Sequence, residues 1–199
     1  MARPRGDDVK RDVALATFEL IAARGVDGMS MRALSEATGL STGTINYHFG
    51  SKHGVLLASI EYGYKQRPHE WDIDDPSANL RALLRRYELT NSAKRTWWHF
   101  WLAVASYAQS NTEIAEILEN QHAWVIDRFE SVVQEGLCRG VFSGTDDPHK
   151  AAVRLVNLAH GQAIAQLVGR ADLSDATNDF DEMIQVLIQT GFSSIALQK

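Results

Sequence analysis

A short run of hydrogen-bonding side chains near the N-terminus has the composition of a surface that binds nucleic acid. The run extends from residue 41 to residue 52, and none of its side chains is acidic. Asparagine can pair with adenine through two hydrogen bonds, and threonine can donate to a base or touch a thymine methyl group. The residues from which we expect contacts to DNA are Ser41, Thr42, Gly43, Thr44, Asn46, Tyr47, His48 and Lys52.

Basic residues on either side extend this candidate surface. Lys52 follows Ser51 in the first turn of the next helix, where its charge and the free backbone N–H groups can meet a phosphate. Arg32, near the start of the preceding helix, can reach phosphate or a base edge, or can be an ordinary solvated arginine. Arg3 and Arg5 lie in an N-terminal tail that we expect to be disordered. These arginines can reach along a phosphate backbone or into a minor groove, or the tail is solvated and has no role.

Two short helices joined by a glycine turn are predicted to position these side chains. Ser30 can cap a helix with apolar residues at helical spacing, and Gly39 suits the left-handed conformation that commonly ends one. Ser41 can cap the second helix, which stops at Gly50. In a helix-turn-helix the second helix enters the major groove of DNA. A plain helical pair within an all-α core, with no DNA partner, is the alternative.

The segment from Gly39 to Lys52, GLSTGTINYHFGSK, resembles the signature of the tetracycline-repressor (TetR) family of bacterial regulators. Residues 13–25 resemble the first helix of that family. The resemblance implies a homodimeric transcriptional repressor that leaves a palindromic operator when a small effector binds. Asn46 stands where the family usually has a tyrosine that binds phosphate, and the neighbouring Tyr47 is the candidate for that contact.

Composition limits the class of protein. A length of 199 residues can hold a small and a larger domain, and 45% hydrophobic with 23% charged residues is ordinary for a globular protein. No apolar run reaches membrane-spanning length and the N-terminus lacks a signal-peptide core, so we expect no membrane partner. The single Cys138 excludes an intrachain disulfide and fits a reducing cytoplasm.

The net charge of −5 is distributed unevenly along the chain. Residues 1–65 carry eight lysines and arginines against seven acidic residues, so the acidic excess lies in the remainder. A near-neutral head on an acidic body suits a protein that touches DNA with one end only. The predicted helix that follows Gly50 leads out of this head, so we expect a DNA-binding domain over residues 1–50 and an effector-binding and dimerisation domain over residues 51–199.

The rest of the sequence has helical patterns and no convincing strand, which predicts an all-α fold with a small helix-turn-helix head and a larger helical-bundle body. Besides the two short helices, we expect helices at about residues 9–24, 51–67, 77–92, 95–109, 111–139, 148–168 and 178–196. The last two have wide apolar faces and favour a four-helix bundle with a second copy of the chain. Burial of these faces inside one subunit is the alternative.

The body is richest in aromatic residues over 95–109, where apolar groups cover nearly the whole helix and predict burial. Filling the core is the simplest role for these rings. With polar residues from other helices they can also line a cavity for an apolar, aromatic or cationic molecule. The candidate effector-binding residues are Tyr62, Asn91, Trp98, Trp101, His122 and Trp124.

The segment from Trp97 to Gly169 also resembles, more weakly, the body of the choline/glycine-betaine regulator branch of the TetR family. The seven histidines lack the spacing of metal ligands, and there is no nucleophile elbow or phosphate-binding glycine loop. We expect no enzyme activity, metal or cofactor. A helical small-molecule-binding or catalytic protein with a vestigial helix-turn-helix is the rival interpretation, and a regulator without an effector is a third.

Overall fold

The computed structural model describes residues 6–65, 74–145 and 147–189. Within these ranges it contains α-helices, one 3-10 turn (Arg85–Tyr87) and no strand, which confirms the predicted all-α fold. The helices are α1 (Gly6–Arg24), α2 (Met31–Thr38), α3 (Thr42–Phe49), α4 (Lys52–Lys65), α5 (Pro76–Leu84), α6 (Ser92–Ala108), α7 (Thr112–Cys138), α8 (Pro148–Leu167) and α9 (Leu173–Gln189). The predictions for Arg3, Arg5 and the end of the last helix beyond residue 189 lie outside the described residues.

The chain divides into two compact units, each with its own core. The first unit consists of Met1–His69 and Thr96–Ala115, and the second of Glu70–Arg95 and Glu116–Lys199. Helices α1–α4 belong to the first unit and α5, α8 and α9 to the second, while α6 and α7 contribute residues to both. None of the helices described is long and apolar enough to cross a membrane.

One apolar face of each of the first four helices forms the core of the first unit. Its fully buried side chains include Val13, Ile21, Leu34, Ile45 and Val55. Leu34 is the buried residue of α2, and Ile45 is the buried residue of α3. Because each short helix buries so little of itself, most of its surface is left for solvent or a binding partner.

The ends of α2 and α3 are fixed by the residues that the sequence indicated. The hydroxyl of Ser30 accepts the N–H of Ala33 at 3.1 Å, and the hydroxyl of Ser41 accepts the N–H of Thr44 at 3.0 Å. Gly39 has φ +69°, a left-handed conformation that glycine adopts without a steric penalty. The predicted helix-turn-helix is therefore confirmed.

Part of α6 supplies an aromatic face to the first unit. Phe18 of α1 packs against Phe100 with ring centroids 4.5 Å apart, and Tyr64 of α4 meets Trp97 edge-on at 5.3 Å. The helix buries less of its circumference than its sequence suggests: Trp98 is buried, whereas His99 is exposed. Broad aromatic rings can fill the available space from one side of a helix, so burial of every side is not required.

The second unit has a separate core, to which α5, α7, α8, α9 and the segment after α7 contribute. Its fully or almost fully buried side chains include Leu80, Phe129, Phe142, Leu155 and Ile184. The start of α8 matches the sequence signal, because Asp147 accepts the N–H of Lys150 at 2.9 Å and Pro148 occupies the first helical position.

The predicted helix over residues 77–92 is wrong in its second half. Helix α5 ends at Leu84 and gives way to the 3-10 turn and an extended segment. The buried side chain of Gln166 satisfies the backbone there: its Oε1 accepts the N–H of Leu89 at 2.9 Å, and its Nε2 donates to the carbonyl of Tyr87 at 3.1 Å. A tertiary hydrogen-bond partner thus replaces the helical one.

Three helices start three to five residues earlier than predicted. Helix α6 begins at Ser92 because the Asn91 side chain accepts the N–H of Lys94 at 2.9 Å. Helix α9 begins at Leu173, where the carbonyl of Asp172 accepts the N–H of Ala176. Helix α1 begins at Gly6, with acidic residues in the first turn, where the helix dipole favours negative charge.

Candidate nucleic-acid interface

Most of the side chains proposed to bind DNA lie on the solvent side of α3, away from buried Ile45. Tyr47 is 85% exposed, an unusual value for an aromatic residue, and its ring stands edge-on to that of His48 at 5.2 Å. A binding partner that covers this ring would remove its apolar surface from water. Of the other residues predicted on this helix and at its start, Ser41, Thr42, Gly43 and Asn46 are exposed, whereas Thr44 and His48 are half-buried.

The inward side of α3 fixes the direction of this polar side. Ile45 is fully buried, and Leu40 and Phe49, which we also expected to face inward, are half-buried. At the start of the helix the hydroxyl groups of Ser41 and Thr44 are hydrogen-bonded at 2.9 Å. The arrangement presents hydrogen-bonding groups and a thymine-compatible methyl group along one helix of suitable width for a major groove.

Lys52 is the exposed first residue of α4, immediately after this helix. The hydroxyl of Ser51 accepts the N–H of Gly54 at 3.1 Å, which caps α4. Beside Lys52, His53 Nε2 lies 2.8 Å from Glu113 Oε2 at the start of α7. This contact could not be predicted from the sequence, because its two residues are 60 positions apart.

Arg32 lies in the first turn of α2 and is held by a residue one turn later. Its Nε donates to Glu36 Oε1 at 3.0 Å, while the two side chains stay 88% and 67% exposed. The pairing uses one of the five guanidinium N–H groups and leaves those of the terminal nitrogens for other partners. Arg32 is among the DNA contacts predicted from the sequence, whereas Glu36 is not.

Of the proposed effector-binding residues, three belong to the first unit. Trp98 and Trp101 meet edge-on with ring centroids 5.2 Å apart. Tyr62 is half-buried and packs edge-on against Phe18 at 5.9 Å. The two tryptophans are therefore brought together, and Tyr62 joins the aromatic group around α1.

The other three belong to the second unit. His122 is exposed, and its ring lies 5.6 Å from that of His160. Trp124 is half-buried, and the guanidinium of Arg128 lies 5.5 Å from the centre of its ring. Asn91 is exposed, and its carbonyl oxygen caps α6, so its side chain already has a structural role.

The second unit contains an aromatic group that the sequence pattern does not predict. The ring of Tyr87 lies 5.3 Å from His160 and 6.4 Å from Phe129. His160 Nδ1 lies 2.8 Å from the carbonyl of Val156, so this nitrogen carries the proton. The three rings come from different helices, and periodicity within one helix carries no signal for their meeting. In the described residues no three histidine, cysteine or acidic side chains are grouped to hold a metal ion.

Two family models match the chain. The model for bacterial regulatory proteins of the tetR family matches residues 15–59, which include the helix-turn-helix. The model for the C-terminal region of BetI-type transcriptional repressors matches residues 76–189, more than half of the chain.

Three individual proteins are similar to this chain at 19–26% sequence identity. The HTH-type transcriptional regulator BetI of Vibrio campbellii (strain ATCC BAA-1116) is 26% identical over 119 residues, which are 54% of this chain and 58% of the relative. A transcriptional regulator from Saccharomonospora viridis, solved in complex with choline, has 22% identity and a TM-score of 0.79 over 90% of this chain and 96% of its own. AibR, solved with isovaleryl coenzyme A and operator DNA, has 19% identity and a TM-score of 0.65 over 90% and 97%. The structural likenesses show a shared fold.

Proposed function

The chain belongs to the tetR family of bacterial regulatory proteins, and from this premise we propose that it is a homodimeric repressor released from a palindromic operator by a small-molecule effector. The observation that carries the proposal is the polar surface of α3, where Tyr47 is 85% exposed and Thr42 and Asn46 are also exposed. A helix of this composition suits the major groove. The solved complex of AibR with operator DNA supports the same use of the fold.

Within this proposal the contacts have distinct roles. Thr42, Thr44 and Asn46 read base edges, whereas Tyr47 and Lys52 bind the phosphate backbone. Ser41, Gly43 and His48 lie close to the backbone of the DNA, and Arg32 adds a contact from α2. Residues 1–50 form the DNA-binding domain, and residues 51–199 bind the effector and dimerise.

Dimerisation through α8 and α9 would give the protein a two-fold symmetry that matches a palindromic operator. Large apolar side chains remain exposed at Val168, Leu173 and Val186, near the end of α8 and along α9. A second copy that covers these residues removes their apolar surface from water. The pair of subunits can then place two α3 helices one turn of DNA apart, about 34–36 Å.

For the effector we propose a small organic cation such as choline. The BetI-type match over residues 76–189 and the choline complex of the Saccharomonospora viridis regulator support this class. Tryptophan and tyrosine faces attract quaternary ammonium groups through cation–π contact. The candidate residues in this proposal are Tyr62, Trp98 and Trp101 in the first unit and, separately, Asn91, His122 and Trp124 in the second unit.

Footprinting of the purified chain on the DNA upstream of its own gene tests the proposal. We expect protection of a palindrome, and we expect choline to abolish that protection. A catalytic or small-molecule-binding protein with a vestigial helix-turn-helix would protect nothing while still binding a ligand. A regulator without an effector would protect the palindrome at every concentration of choline and of other metabolites tested. We propose no enzymatic activity and no membrane partner.

A further inference from the structure

The ion pair on α2 runs in the opposite direction from comparable pairs in this protein. Arg32 precedes Glu36 by four residues, whereas Glu61 precedes Lys65 on α4 and Glu135 precedes Arg139 on α7. In isolated helices, the order with the acid first is the more stabilising one. The pair on α2 therefore has the less favourable order.

The helix dipole makes this arrangement more unfavourable. Arg32 lies in the first turn of α2, which contains no acidic residue, and Glu36 lies near the other end, which contains no basic residue. A cation is disfavoured at a helix N-terminus and an anion at its C-terminus. Both side chains are also largely exposed, so their pairing adds little to folding stability. Proteins commonly break such local rules at functional sites.

The ion pair uses Nε of Arg32 and not the terminal nitrogens of the guanidinium. Glu36 Oε1 accepts from Nε of Arg32 at 3.0 Å. The hydrogen bond at Nε restricts rotation of the planar group and leaves the N–H groups of its two terminal nitrogens as donors for other partners. Those nitrogens are the donors with which an arginine binds O6 and N7 of guanine, the commonest specific contact in protein–DNA complexes.

We propose that Glu36 is a positioning residue that orients Arg32 toward a guanine in each half of the operator, and thereby sets sequence specificity at that base pair. This inference rests on the proposed repressor function. Glu36 also places a negative charge beside the DNA backbone, which weakens binding to unrelated sequences. Its loss should therefore relax specificity and strengthen non-specific binding at the same time, a combination that a simple loss of helix stability would not produce.

Selection from a randomised duplex pool with the full-length protein and its variants tests this inference. We expect the wild-type protein to enrich a palindrome containing one guanine per half-site whose preference is lost in Arg32→Ala. Glu36→Ala should lose preference at the same position, by roughly tenfold, and should retard an unrelated duplex more strongly. Glu36→Gln should retain part of the preference, because its amide oxygen can still accept from Nε. Glu61→Ala is the matched control, since it breaks a pair of the same spacing in which the two side chains are 70% and 64% exposed.

Three other results would contradict the positioning role of Glu36, the base contact of Arg32 or the repressor function. If Glu36→Ala keeps the guanine preference that Arg32→Ala loses, or weakens binding to every sequence equally, the positioning role is wrong. If neither variant changes any position of the palindrome, Arg32 reads no base and the inference fails. If the wild-type protein enriches no sequence, the proposed repressor function itself fails.

Discussion

The indole of Trp97 rests on the backbone of Gly63, so closely that a Cβ built on the glycine would lie 2.8 Å from the ring atom Cζ3. The same Cβ would lie 3.2 Å from Cε2 of Phe18. A glycine at this place allows α4 and α6 to approach within the first unit. Because α4 follows α3 after a two-residue turn, this contact supports the position of the candidate DNA-binding helix.

Gly63→Ala should force Trp97 and Phe18 to move. Overpacking of this kind typically costs about 1–3 kcal/mol in the free energy of unfolding, and the displaced α4 should also weaken operator binding. Urea denaturation and DNA retardation measure the two effects. In a Trp97→Leu background the added methyl group has room, so the glycine substitution should cost much less. Equal costs in the two backgrounds would show that this ring is not what constrains Gly63.

Tyr47→Ala should abolish retardation of the operator while leaving the protein folded. The side chain is 85% exposed, so its removal should change the free energy of unfolding by no more than about 0.5 kcal/mol. Retardation and thermal melting are the measurements. Ile45→Ala provides the contrast, because it removes a fully buried side chain two positions earlier in the same helix and should destabilise the fold by about 2–5 kcal/mol. Undiminished retardation by Tyr47→Ala would remove that residue from the interface.

Lys52→Ala should weaken binding to all DNA sequences alike. A lysine that binds phosphate contributes counterion release but no sequence information, so the slope of log affinity against log salt should fall by about one unit. Titrations of operator and random duplexes over a range of salt concentrations measure this slope. Lys65→Ala, at the other end of α4 and also exposed, is the control and should leave the slope unchanged. A loss confined to the operator would instead assign Lys52 to base recognition.

Gln166→Ala should destabilise the second unit. The substitution leaves the N–H of Leu89 and the carbonyl of Tyr87 without their side-chain partner, and a buried unsatisfied group costs about 1–3 kcal/mol. Denaturant unfolding monitored by circular dichroism measures the loss. Gln134→Ala removes an exposed glutamine from α7 and should be nearly neutral. A similar small effect for both variants would mean that water replaces the Gln166 amide.

The pair formed by His149 and Glu130 should make stability depend on pH. The hydrogen bond that His149 Nδ1 donates to Glu130 Oε2, at 2.7 Å, and the neighbouring carboxylates raise the pKa of His149 in the folded protein. The stabilisation is therefore fully present below the unfolded pKa of about 6.5 and is lost as pH rises through the higher folded pKa. Wild-type protein should exceed Glu130→Gln in melting temperature at about pH 5.5, and the difference should shrink above the folded pKa. A difference independent of pH would exclude this linkage.

Local signals account for the parts of the fold that the sequence predicted well. Ser30, Gly39 and Ser41 determine helix ends through neighbours within five residues, so the helix-turn-helix could be located from the chain alone. The end of α5 could not, because the Gln166 amide that replaces its helical hydrogen bonds is more than 70 positions away. Periodicity finds one face of one helix and does not report which faces meet.

The same limit applies to the candidate sites. The polar side of α3 follows from its residue types, whereas the meeting of His122 with His160 and of His53 with Glu113 depends on packing between helices. Glu36 is an intermediate case. Its four-residue separation from Arg32 is visible in the sequence, but the atom that it binds is visible only in three dimensions.

Because the first compact unit is assembled from two separated stretches of chain, it is not a portable module. A chimera that transplants residues 1–65 alone would strip Phe18 and Gly63 of the rings of Trp97 and Phe100 that cover them. Residues 96–115 must travel with the transplanted head, or the recipient must provide an equivalent aromatic surface. Substitutions on the outer surfaces of α2 and α3 would therefore change DNA sequence specificity without disturbing this packing. Exchange of residues 1–65 as a block would disturb it.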